Sequence, residues 1–211
     1  MPTSEAILVE LKTIANDWQL LSALWHAYFA ALILALILRF RPTKRAAGLA
    51  LALPVLSVSI LAWVYANFFN GAIFALLGIV LLAVGARLGC EAVEIAPPWL
   101  TVVGALMLGF GWTYPHFLEN ATAIDYLYAA PAALIPCPTL SIVIGFTLIL
   151  GGFRSRLWCL VVAMAGIFYG AYGAARLGVT IDWVLFVGAL ITTYAAFSRQ
   201  LMAADDKAST R

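Results

Sequence analysis

The sequence predicts an all-α integral membrane protein, a polytopic bundle of seven transmembrane helices. Hydrophobic residues make up 64% of the 211 residues and charged residues only 10%, whereas an ordinary soluble domain has roughly 25% charged residues. The apolar residues also form long runs, several of which reach the ~20 residues that a helix needs to cross the hydrocarbon core of a bilayer. We therefore expect a bundle in contact with lipid, in a cell membrane.

Seven apolar runs are separated by charged or turn-forming residues, and each is a predicted span. They cover residues 18–38, 46–66, 69–84, 97–114, 132–150, 157–172 and 181–197. No polar linker interrupts the series, so residues 1–211 are predicted to form a single membrane domain. Residues 1–17 would be an outer amphipathic segment, 18–197 the seven-helix bundle and 198–211 a cytoplasmic tail.

The basic residues predict an orientation. With seven spans and the amino terminus outside, ten of the twelve lysines and arginines fall on the cytoplasmic side. These ten are Arg39, Arg41, Lys44, Arg45, Arg87, Arg154, Arg156, Arg199, Lys207 and Arg211. Only Lys12 and Arg176 fall outside, which follows the positive-inside rule. We therefore predict that the amino terminus is outside and the carboxyl terminus inside, in a membrane of the bacterial inner-membrane type.

The segment before the first span has a partly helical pattern. Ile7, Leu8, Leu11 and Ile14 fall near helical spacing, with polar residues between them. This pattern is typical of an amphipathic helix lying on the membrane surface. It fits equally well a simple extension of the first span, and both interpretations stay open.

The start of span five contains Pro136, Cys137, Pro138 and Thr139. Each proline lacks a backbone donor and clashes with the preceding turn, so carbonyls near residues 132–134 should lose their helical partners. At membrane depth, such backbone is tolerated where protein buries it or where it lines a cavity. These four residues are therefore candidates for a substrate pathway; the alternative is a helix start that lies at the interface, where water binds the freed groups.

This motif also carries a family resemblance. The Pro136–Thr139 motif, the apolar run that follows it through Gly145, and the later loop from Ala174 to Val179 with Asp182 resemble the bacterial membrane proteins grouped as the domain-of-unknown-function 6064 family. Tyr114-Pro115 matches a Tyr-Pro at the end of span four, whereas Leu140 stands where members usually have a second threonine. The resemblance implies a membrane fold and a permease-like label, with no established activity.

His26 is the one ionisable residue well inside a predicted span. It lies twelve positions from Leu38, and Pro138 lies twelve positions from Leu150, so both are at a depth of about 18 Å. If spans one and five are neighbours, His26 could approach Cys137 and exchange protons with it. The favoured alternative is a histidine hydrogen-bonded to a neighbouring helix, and no metal site is predicted.

Two outer loops hold further candidates. His116 and Glu119 are three residues apart and would share a face if their loop were helical, which would allow them to hold a cation or pass a proton; an ordinary solvated loop is the alternative. Arg176 and Asp182 flank a tight turn before span seven. We expect a structural role for them, as an ion pair with Asp182 capping span seven.

Several function classes are excluded. All three lysines lie outside the predicted spans, which excludes a retinal Schiff base, and no Walker A, GxSxG or HExxH pattern occurs. The net charge of +2 gives no reason to expect a nucleic-acid partner, and no cofactor is predicted.

The function predicted first is permease-like transport of a small solute or ion, with Tyr114 at the end of span four added to the pathway candidates. The first alternative is a non-catalytic membrane subunit or scaffold, with partner membrane proteins or further copies of itself. The second alternative is a membrane-embedded redox or lipid-modifying enzyme, although the sequence favours a protein that is not an enzyme.

Overall fold

The computed structural model describes residues 3–119 and 121–198, and these residues form eight α-helices joined by turns and by irregular segments, the longest of which lies between α5 and α6. The helices are α1 Ser4–Asp17, α2 Gln19–Ile37, α3 Lys44–Val64, α4 Phe68–Arg87, α5 Pro98–Thr113, α6 Pro136–Ile149, α7 Arg156–Ala171 and α8 Trp183–Phe197. Apart from Ser198, the predicted tail 198–211 lies outside the described residues, and so do three of the ten basic residues assigned to the cytoplasm, Arg199, Lys207 and Arg211.

Each predicted apolar run forms a helix, which confirms an all-helical protein that is suited to a membrane. Five segments are long and apolar enough to cross one: α2, α3, α4, Arg156–Arg176 around α7, and Thr180–Phe197 around α8. Helices α5 and α6 are apolar but have only 16 and 14 residues. Seven complete spans and the orientation therefore stay predictions.

Helix α6 lies at the centre of the bundle. Twelve of its 14 residues are buried, and it packs against α5, α7, α8 and α3. Its backbone lies directly on that of α5, because a Cβ added at Gly145 would come within 2.7 Å of the Gly104 carbonyl oxygen. Small residues that allow such an approach are the usual basis of helix packing in lipid.

Helix α1 crosses one end of the bundle, which we call the α1 end. Trp18, with φ −115° and ψ 30°, separates α1 from α2. Leu11, Ile14 and Ala15 are buried, in a cluster that includes Leu134 of the segment before α6. The structure thus interrupts the helix at Trp18 and buries one face of α1, which favours the amphipathic interpretation over an extension of the first span; the position of the segment on the outer surface stays a prediction.

The predicted start of span five, residue 132, is wrong by four residues, because α6 begins at Pro136. The first turn of a helix has no intrahelical partners for its N–H groups, so Pro136 and Pro138 fit there without loss. Ile135 is extended, with φ −129° and ψ 161°, as a residue before proline tends to be. Residues 129–135 continue toward the α1 end as buried irregular chain.

Candidate functional site

A cavity of about 220 Å³ opens at the α1 end. It lies between α1, the start of α4, the start of α6, the end of α7 and the turn before α8. Its wall is mostly apolar and includes Leu11, Phe69 and Phe117. Its polar wall residues are Asn67, Asn70, Cys137, Tyr169, Tyr172, Arg176 and Asp182. The cavity therefore has an apolar body with polar groups gathered on one side.

Asp182 is the central polar group of this site and is only 1% exposed. The Tyr114 hydroxyl donates to its Oδ1 at 2.6 Å, and the Cys137 thiol donates to its Oδ2 at 3.2 Å. Among the described residues, the ion pairs within 4 Å join Lys12 to Glu119, Lys44 to Glu91 and Arg154 to Glu94. The Asp182 carboxyl is therefore held by neutral donors alone, which is unusual because buried carboxylates are normally paired with a cation.

The chain around Asp182 leaves the regular α-helix. Helix α7 ends in a π-helical turn, Tyr172–Arg176, and turns of this type are rare and are frequently found at functional sites. Gly173 lies in this turn against the carboxylate, and a Cβ at this position would overlap Asp182 Oδ2. Glycine is therefore required at position 173 for the carboxylate to occupy its place.

A second set of polar side chains connects α7 to α4. The Tyr169 hydroxyl donates to Asn70 Oδ1 at 2.9 Å, and the Asn70 backbone N–H donates to Asn67 Oδ1 at 3.0 Å. The Tyr169 carbonyl also lies 4.0 Å from the Cys137 sulfur. Polar groups from α4, α6, α7 and the turn before α8 thus meet along one side of the cavity.

The proline motif contributes two of its four residues to the wall of the cavity, Pro136 and Cys137. Pro138 and Thr139 are buried in the helix instead. The Thr139 hydroxyl donates to the Ile135 carbonyl at 2.6 Å, and the Ser22 hydroxyl donates to the Ala130 carbonyl. Protein groups therefore bind carbonyls of the irregular segment, as backbone at membrane depth requires.

The expected ion pair between Arg176 and Asp182 is not formed. Asp182 turns inward to Tyr114 and Cys137, and its side chain makes no capping hydrogen bond to α8. Arg176 is exposed at the rim of the cavity, where its carbonyl accepts a hydrogen bond of 3.2 Å from the Ser4 hydroxyl. The apolar surroundings of Asp182 favour hydrogen bonds to buried neutral donors over an exposed pair.

His26 does not reach Cys137. Its Nδ1 lies 2.8 Å from the Ser22 carbonyl oxygen, and its Nε2 lies 3.0 Å from the Trp112 carbonyl oxygen. The ring also meets the Trp112 indole edge-on, with centroids 4.9 Å apart. His26 thus joins α2 to the end of α5, as the favoured alternative expected.

His116 and Glu119 do not share a helical face, since no helix is assigned at either position. The Glu119 carboxylate pairs with Lys12 Nζ at 2.7 Å, and its backbone N–H donates to Asn16 Oδ1 at 3.0 Å. Partial burial, with a smaller effect of the Lys12 charge, lowers the pKa of His116. This loop therefore attaches α1 to the bundle, and among the described residues no group of three or more His, Cys, Asp or Glu residues is placed to hold a metal ion.

The sequence interpretation missed Asn67, Asn70, Tyr169 and Gly173. Tyr169 fits the aromatic belt of a membrane interface, and Gly173 fits close helix packing, so neither pattern indicates a site. The one local signal of the site is Gly173, with Asp182 in the turn that comes after it, because a glycine near a helix end permits another group to approach the backbone closely. Its meaning depends on the fold that brings the two together.

Comparison with known proteins gives no family for this chain: no family model, curated protein or solved structure matches it. The resemblance drawn from the Pro136–Thr139 motif therefore stays a prediction. The helices and their hydropathy define the class, a membrane-embedded α-helical protein. Its most distinctive feature is the cavity beneath α1.

Proposed function

We propose that this protein is a permease-like membrane protein that binds a small solute in the cavity beneath α1. One observation carries the proposal. The buried Asp182 carboxyl faces a cavity at the place where the irregular chain before α6, the π turn after α7 and the turn before α8 meet.

Interrupted helices are the usual way in which transporters build a substrate site. Their breaks expose backbone and polar side chains to the substrate within a bundle that is otherwise apolar. Here the breaks are accompanied by Pro136, Pro138 and Gly173, and they surround one cavity instead of being scattered over the surface. A purely structural bundle has no need for a buried carboxyl without a cationic partner.

The described residues that line the cavity all lie at the α1 end. Beyond Cys137, buried side chains of α6, which include Leu140, Val143 and Phe146, fill the bundle and close the path from the cavity toward the other end. A transport cycle therefore requires a second state in which this layer opens toward the other end. In the proposed cycle, the present state is the one that binds solute beneath α1.

Thiol labelling tests whether water and solutes reach this site. Single-cysteine proteins retain either Cys137, in the cavity wall, or Cys90, which is exposed in the chain after α4 at the opposite end. With a membrane-impermeant methanethiosulfonate added to intact cells, we expect Cys137 to react and Cys90 to react only after permeabilisation. An unreactive Cys137, in a protein whose Cys90 reacts normally after permeabilisation, would contradict an accessible site.

Transport itself is tested in proteoliposomes. The vesicles are given a mixture of small metabolites, and the solutes retained inside are identified by mass spectrometry. We expect at least one solute to accumulate, and its accumulation to stop when Cys137 is modified. A reactive Cys137 with no accumulation of any solute would instead support the alternative of a non-transporting membrane subunit.

A further inference from the structure

The two charged residues in the wall of the cavity, Asp182 and Arg176, differ in how strongly solvent screens their charge. Asp182 is 1% exposed and has no cationic partner among the described residues. Arg176, the cationic residue of the wall, is exposed at the rim, where water and salt screen its charge. At the lower effective dielectric constant of a partly buried site, a charge acts roughly four times more strongly than in water. The deep part of the cavity is therefore set up to attract a positive charge.

The aromatic rings of the wall fit the same conclusion. Phe69, Phe117, Tyr169 and Tyr172 all line the cavity. The face of an aromatic ring attracts an ammonium group through the ring quadrupole, and groups of aromatic rings are used to recognise organic ammonium ligands. The rings also offer an apolar surface for the body of a ligand.

The volume limits the size of the ligand. A cavity of about 150 Å³ accommodates benzene, which has six non-hydrogen atoms. By the same proportion, the cavity of about 220 Å³ accommodates a molecule of roughly nine non-hydrogen atoms. A metal ion alone would leave most of this apolar space unfilled.

From these three observations, and resting on the proposed function of the cavity, we propose that its ligand is a small organic amine in the protonated form. The ammonium group lies at the Asp182 carboxylate, which has acceptor capacity beyond the hydrogen bonds from Tyr114 and Cys137. The apolar body of the amine lies among the aromatic rings. Asp182 therefore determines the selectivity for a cation, and the size of the cavity determines the length of the ligand.

Three probes of nearly equal size test the charge of the ligand. Phenethylammonium and 2-phenylethanol each have nine non-hydrogen atoms, and phenylacetate supplies the corresponding anion. Their affinities for the purified full-length protein in detergent are measured by calorimetric titration at pH 7. We expect phenethylammonium to bind at least tenfold more tightly than either of the other probes, and to protect Cys137 from thiol labelling.

Asp182→Asn provides the second comparison, because it removes the charge and retains the shape. We expect it to abolish the tenfold preference for the ammonium over the alcohol, whereas Asp125→Asn should retain the preference. Asp125 is a partly exposed carboxylate outside the wall of the cavity, and it accepts its own hydrogen bonds from Thr122 and Tyr128. If Asp182→Asn does not fold, the preference of the unmodified protein still decides the question.

The outcomes separate the ligand class from the proposed function. Equal binding of the alcohol and the ammonium, or tighter binding of phenylacetate, overturns the amine proposal and leaves the cavity as a ligand site. Binding of no probe to a protein whose Cys137 reacts with thiol reagents also overturns the amine and leaves the proposed function standing. Binding of no probe together with an unreactive Cys137 overturns both.

Discussion

Removing the hydroxyl group of Tyr114 should destabilise the fold by an amount that can be derived from the structure. Tyr114 and Asp182 are 0% and 1% exposed, and their hydrogen bond is 2.6 Å long. This length is within the range of a hydroxyl bonded to an ionised carboxylate. Hydrogen bonds to charged groups contribute about 1.5–3 kcal/mol, and bonds between neutral groups about 0.5–1.5 kcal/mol. We expect the higher range.

A double-mutant cycle measures this bond. Tyr114→Phe, Asp182→Ala and the double variant are unfolded reversibly in mixed micelles with increasing dodecyl sulfate, and the free energy of unfolding is compared with that of the unmodified protein. Packing effects of each change cancel in the cycle, so the coupling energy isolates the pair. A coupling of about 1.5–3 kcal/mol supports an ionised, buried carboxylate. A coupling below about 0.5 kcal/mol would refute the bond itself.

The chain contains a matched control for this cycle. The Tyr65 hydroxyl donates to Asp17 Oδ2 at 2.7 Å, which is the same type of bond at nearly the same length but in an exposed setting. Changes to exposed pairs usually alter stability by no more than about 0.5 kcal/mol. Tyr65→Phe should therefore have little effect. A similar loss in Tyr65→Phe and Tyr114→Phe would mean that burial does not strengthen the bond, and the reasoning would fail.

Two further predictions concern helix packing and the α1 end. Gly145→Ala should destabilise the fold and Gly109→Ala should not, because a Cβ at Gly145 would come within 2.7 Å of the Gly104 carbonyl oxygen whereas nothing lies within 4 Å at Gly109; equal thermal midpoints would contradict this contact. Glu10→Gln should raise the thermal midpoint at pH 7. Burial raises the pKa of Glu10, so the folded state binds the proton of this carboxyl more tightly than the unfolded state does. The stability that this proton contributes at low pH is lost as the pH rises above the ordinary pKa of glutamate. The midpoint of the unmodified protein should therefore fall with pH from about 4.3 upward more than that of the variant does, and identical pH profiles would contradict a buried carboxyl.

The helices could be predicted closely from the sequence because lipid imposes one rule on all of them. Backbone groups inside a bilayer must bond within their own helix, so the ends of an apolar run are close to the ends of a helix. Helices α2 and α8 therefore begin and end within about two residues of the predicted spans. The exception, α6, arises because Pro136 and Pro138 were taken to interrupt a helix, whereas they form its first turn.

The site could be predicted only in part, for a different reason. Cys137 was found because prolines leave a local signal in the sequence. Asp182 was predicted to lie at the surface, because it follows a short loop and has Arg176 nearby. Its burial depends on Tyr114, which is 68 residues away, and on the packing of α1 across the end of the bundle. Contacts over such distances leave no periodic pattern in a single sequence.

The two ends of the bundle differ in how their carboxylates are compensated, and this difference supports the ligand proposed for the cavity. At the end opposite α1, Glu91 pairs with Lys44 and Glu94 pairs with Arg154. At the α1 end, Glu119 pairs with Lys12. Asp182 is more deeply buried than any of these three carboxylates, and burial makes a missing cation most costly. Of these four carboxylates, the most buried one is thus the one without a cation, and it faces a cavity that is large enough to receive one.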